Sequence, residues 1–104
     1  MPPVIPDPMS LLDATVTVPE HVVFRPFARE TVILNLETGR YHGINPTGGR
    51  MLETLQQLGD VRETAARLAG VFDRPLDEVE QDLCQFCSDL VERGLIVVSA
   101  DGRG

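Results

Sequence analysis

Cys84-Gln85-Phe86-Cys87 is the pairing in this 104-residue chain whose residue types and spacing suggest metal or redox chemistry. A structural zinc site needs four ligands, and no second CxxC accompanies the first. His21 and His42 are the only histidines, and their spacing matches no ligand pattern. A redox CxxC sits at a helix N-terminus, where the dipole lowers the thiol pKa. This one falls in the middle of an apolar helical stripe, so both cysteines read as small buried hydrophobes. Ser10, Ser88 and Ser99 are the only serines, and none lies in a nucleophile elbow. Gly48-Gly49 after Pro46 has neither the Walker lysine nor the Rossmann spacing. Asp77, Glu78, Glu80 and Asp82 cluster where a helix begins, and acid there complements the helix dipole. No constellation supports catalysis. The chain is expected to be no enzyme and to hold no metal or cofactor.

Composition narrows the partners. The net charge is -7, all nine basic residues are arginine, and 42% of the residues are hydrophobic. A chain of this size and apolar content folds as one small domain without staples. An acidic surface repels phosphate backbones, so nucleic acid is an unfavourable partner. No stretch approaches the roughly 20 apolar residues that span a bilayer, which argues against a membrane partner. The N-terminal MPPVIPDPMSLLDA lacks the features of a signal peptide, and two cysteines make no disulfide framework, so the expected compartment is the cytoplasm.

The elements that must position any site follow in order. Four prolines within residues 1–14 predict a flexible arm. Residues 15–18, TVTV, form a short β-branched strand ended by Pro19, and residues 21–27 form a second extended piece. The clearest strand spans 31–36, with Val32, Leu34 and Leu36 on one face and Thr31, Ile33 and Asn35 on the other. Glu37-Thr38-Gly39-Arg40 turns it into Arg40 to Ile44, where Tyr41 and Gly43 share one face and Arg40, His42 and Ile44 the other. Pro46 ends this strand, and Thr47 is the expected N-cap of a helix running from Gly48 to Leu58, with Gly59 as its stop. A second helix is capped by Asp60 and turns Val61, Ala65, Leu68 and Ala69 inward, with Val71 and Phe72 beyond Gly70. A third starts at Pro75, carries Leu76, Val79, Leu83, Phe86 and Leu90 at helical spacing, and ends at Gly94. Residues 95–98 return as a last strand, and 99–104 trail off as a flexible tail. The expected architecture is α+β and winged-helix-like: an N-terminal three-stranded antiparallel sheet followed by three helices, within residues 15–98.

The run TVILNLETGRYHGINPTGGRMLETL resembles the PqqD-like domains known as RiPP recognition elements, which bind leader peptides of ribosomally made, post-translationally modified peptides. The resemblance extends over residues 21–98 and includes LVERGLIVV, while VVFRPFARETVILNLETGRYHGIN looks most like the stand-alone members of lasso-peptide clusters. It implies a non-catalytic module that takes up a precursor leader peptide by β-strand addition. It also implies delivery to a leader peptidase, a transglutaminase-like cysteine protease, and to a macrocyclase. In such domains the leader adds as an antiparallel strand beside the third strand and packs against the third helix. Carried onto this chain, the edge is Tyr41, His42, Gly43 and Ile44, and the wall is Val79, Asp82, Leu83, Phe86 and Leu90. Gly43 permits close backbone approach. Tyr41 and Phe86 are equally consistent with core packing, and His42 with a plain exposed strand position.

Three alternatives stand beside this reading. One is a PqqD-like chaperone for a radical-enzyme pathway, another an acidic winged-helix regulator acting through protein contacts, and the third a redox or metal protein resting on CxxC alone. A DNA-reading role is disfavoured because residues 73–92 carry seven carboxylates against Arg74, a local charge of -6.

Overall fold

Two glycines and an asparagine organise the fold around one hairpin. Gly39 takes φ +75°, the left-handed conformation that closes the turn between β3 (Thr31–Asn35) and β4 (Tyr41–Ile44). The Asn35 side chain accepts the Glu37 and Thr38 amides within that turn. Gly59, at φ +77°, stops the first helix. The computed structural model describes residues 7–99, in the order of a 3-10 helix (Pro8–Asp13), β1 (Thr15–Thr17), β2 (Val22–Pro26), β3, β4, α1 (Pro46–Leu58), α2 (Val61–Phe72), α3 (Leu76–Glu92) and β5 (Val97–Ser99). Strands β2, β3 and β4 form an antiparallel sheet in that order, and β1 pairs with β5 in a separate two-stranded ribbon. The domain is therefore α+β and winged-helix-like, with β4 as an edge strand.

The expected faces of β3 are present, and the inward one is the less apolar. Thr31, Ile33 and Asn35 are buried, whereas Val32 and Leu34 are half-buried and Leu36 is 57% exposed. Cross-strand rows explain the choice. Ile33 lies between Phe24 and His42 on the side packed against the helices, while Leu34 lies between Val23 and Tyr41 on the other. Beneath the sheet Ile33, Leu52, Leu55, Leu68, Leu83 and Leu90 interlock with essentially no exposure. The two cysteines sit in the same core, fully buried and unlinked.

Three boundaries differ from the sequence reading. The first helix begins at Pro46, and its N-cap is Asn45 rather than Thr47: the Asn45 carboxamide oxygen accepts the Gly48 N–H at 2.7 Å. Proline suits that first helical position because its missing donor has no partner there. The second helix passes through Gly70 and stops at Asp73, which adopts the left-handed conformation.

The third difference concerns the arm expected over residues 1–14. Asp7 caps a 3-10 helix that starts with Pro8, buries Leu11 against α3 and α2, and is tied to α2 by an Arg62–Asp13 ion pair of 2.6 Å. Proline excludes a helix interior but not its first turn. Residues 1–6 and 100–104, parts of the expected arm and tail, lie outside the described residues.

Candidate functional site

The hairpin hydrogen bonds decide which backbone groups of β4 remain open. Asn35 N–H donates to the Arg40 carbonyl at 2.9 Å, closing the ladder next to the turn. Antiparallel pairs alternate between bonded and non-bonded, so His42 and Ile44 direct their groups toward β3. Tyr41 and Gly43 direct theirs to the unpaired edge. An edge of this kind is a template for another strand.

Beside that edge lies a cleft of about 260 Å³ between β4, the start of α1 and the second half of α3. Gly43, Ile44, Asn45 and Gly48 line one side, and Phe86, Asp89, Leu90 and Arg93 the other. Glycine at 48 makes the approach possible, since a β-carbon there would stand 3.2 Å from the Phe86 ring. Phe86 is half-buried, with its ring edge set between the core and the cleft. Asp89 accepts a hydrogen bond from Gln85 at 3.1 Å. Arg93 has no ion pair among the described residues.

Of the residues expected at the site, the structure brings Gly43, Ile44, Phe86 and Leu90 together around this cleft. Tyr41 is 74% exposed on the outward face and takes part through its backbone edge, while His42 is half-buried on the inward face. Val79 and Leu83 are a correction: both have 0% exposure and belong to the core, supporting the wall from behind. Asp82 does not line the cleft. It is held by Arg74 at 3.0 Å, which also pairs with Glu78 at 3.1 Å. Asn45, Gly48, Asp89 and Arg93 are additions. The last two had a readable signal, because Phe86, Asp89, Leu90 and Arg93 repeat at i, i+3, i+4 and i+7.

Among the described residues, no three or more His, Cys, Asp or Glu side chains gather where a metal ion could be held. Burial pushes the Cys87 thiol up to about 12 and the Cys84 thiol to about 11, the latter helped by Glu80, so neither is a thiolate near neutrality. No helix among the described residues is long and apolar enough to cross a membrane.

Residues 30–96 match the family model of coenzyme PQQ synthesis protein D, PqqD. No curated protein matches the chain in sequence. Among solved structures, the chain resembles TbiB1 in complex with the TbiA(beta) leader peptide, with a TM-score of 0.70 and 26% identity over 77% of this chain and 93% of that one. It also shares the fold of lasso peptide synthetase B1 complexed with the leader peptide, with a TM-score of 0.68 and 16% identity over 82% and 98% of the two chains.

Proposed function

The chain belongs to the PqqD family, and from that premise we propose that it is a non-catalytic recognition element for the leader of a ribosomally made precursor peptide, of the lasso-peptide type. The leader adds as an antiparallel strand to the Tyr41 and Gly43 edge of β4. Its inward side chains enter the cleft bounded by Ile44, Phe86 and Leu90. Backbone bonds supply affinity blind to sequence, and the cleft supplies selectivity. The observation that carries this reading is the juxtaposition of an unpaired strand edge with a cleft of mixed lining, in which Ile44, Phe86 and Leu90 stand beside Asn45, Asp89 and Arg93. The likeness to TbiB1, a structure solved with a leader peptide, supports leader recognition. Delivery of the bound precursor to a leader peptidase and a macrocyclase completes the role, in the cytoplasm.

The test is titration of the leader encoded by the neighbouring precursor gene, followed through backbone amide shifts. Shifts clustered on residues 40–45 and 86–93 are expected. Shifts confined to α2 or the N-terminal 3-10 helix, or no binding, overturn the proposal.

A further inference from the structure

The outward side of Gly43 is not open space. A β-carbon built on Gly43 would run into the Glu30 carboxylate, whose Cδ lies 3.5 Å away. The loop between β2 and β3 delivers this group, held by the Phe27 N–H donating to the Glu30 carbonyl at 2.7 Å. Gly43 is in register with Val32, and Val32 with Arg25, so this row belongs to the outward face of the sheet. Glu30 thus places its carboxylate where a side chain of residue 43 would stand, beside the unpaired edge. Its side chain is exposed and has no ion-pair partner among the described residues, although Arg25 faces the same side.

We propose that Glu30 is a specificity determinant, selecting lysine or arginine at the leader residue that pairs with Gly43. This rests on strand addition at β4. Because Gly43 turns its N–H and C=O to the edge, the residue directly opposite exchanges both bonds with it, at a Cα separation of about 5.5 Å. The side chain of that residue stands on the outward face, where a cross-strand neighbour would normally meet it. Here the neighbour is the Glu30 carboxylate. A long cationic side chain reaches it while keeping its charge in water, and an aspartate or glutamate is repelled. Opposite charges at such a position are worth about 0.2–1 kcal/mol, which corresponds to an affinity gain of roughly 1.5- to 5-fold. The glycine is then a specificity device as well as a point of close approach, since it makes room for a side chain from another loop.

The experiment is selection from a displayed library of random unstructured peptides on the full chain, in wild-type form and as Glu30→Gln and Glu30→Lys. Register is read from contacts between peptide and Gly43 amide protons in isotope-labelled complexes. Wild type is expected to enrich lysine or arginine opposite Gly43. Glu30→Gln loses that preference, and Glu30→Lys replaces it with aspartate or glutamate. The same wild-type peptide should bind Glu30→Gln about three-fold more weakly at low salt, with the difference vanishing at high salt. Peptides that pair with β4 in all three proteins but show no charge preference opposite Gly43 overturn this inference alone. Selection of no β4-binding peptide by any of the three overturns strand addition itself, and this inference with it. Glu30 is exposed, so unchanged amide spectra of the unbound variants establish that folding is not the cause.

Discussion

At the scale of single residues, the same α3 carries two buried, unlinked thiols and one ring that the proposed function needs. Cys84 and Cys87 titrate near 9.0 when unfolded, and burial lifts them to about 11 and about 12 in the fold. The folded state thus holds the protons longer. Its thiol-linked stability is intact below about pH 9 and is lost as pH rises through the folded values. Urea midpoints should fall across that alkaline window, and the Cys84→Ala, Cys87→Ala double variant should lose part of the slope while starting less stable from lost packing. Native protein should also resist thiol reagents near pH 8 and react fully in denaturant. Phe86 is different, because its ring borders the cleft. Phe86→Ala should weaken leader binding by about 2 kcal/mol or more in calorimetric titration, as truncated aromatic anchors commonly do. Gly43→Pro should cost more. Its N–H points to the edge and not to β3, so the proline spares the hairpin's ladder and removes a donor from the incoming strand, while the Glu30 carboxylate must swing aside for the ring. Amide spectra of the unbound variant check that the hairpin is kept.

At the scale of elements, α1 is the part whose placement the sequence concealed most. Asn45 caps it and Pro46 opens it, yet Thr47 before two glycines looked the better start because its hydroxyl also suits a cap. The glycines themselves serve packing: Gly48 admits the Phe86 ring, and Gly49 lies against Thr31, whose Cβ would be 2.9 Å from an added β-carbon. Gly49→Ala should therefore destabilise by about 1–3 kcal/mol in urea melts, with part recovered in combination with Thr31→Ala. Asn45→Ala should cost about 1 kcal/mol. The hairpin was legible because Gly39 and the period-two pattern specify it locally. Alternation along β3 named its two faces but could not say which is buried, since Phe24, His42 and the helices beneath decide that. The wall was legible in part for the same reason. Helical spacing gathers Val79, Leu83, Phe86 and Leu90 into one stripe, but only tertiary packing buries the first two completely and leaves Phe86 at the cleft.

At the scale of the whole molecule, charge separates two uses of one architecture. A winged-helix outline with two consecutive helices, α2 and α3, is also an arrangement that reads duplex DNA, with α3 as the groove helix. Here α3 carries acid from its first turn, Asp77 and Glu78, to its last residue, Glu92. Arg74, the cation closest to its start, is already engaged by Glu78 and Asp82. Duplex binding draws its affinity from releasing condensed counterions as several cationic side chains meet phosphates. A chain of net charge -7 supplies no such cluster along this helix. An extended peptide imposes no comparable field, and its backbone can be met by the β4 edge whatever the sign of the helix. Fluorescence anisotropy with random duplex DNA should therefore show no binding at micromolar protein and physiological salt, while the same assay with the precursor leader should. Salt-sensitive DNA binding that weakens when Arg93 is changed to glutamate would reverse this assignment, because it would place α3 against phosphates and not against a peptide.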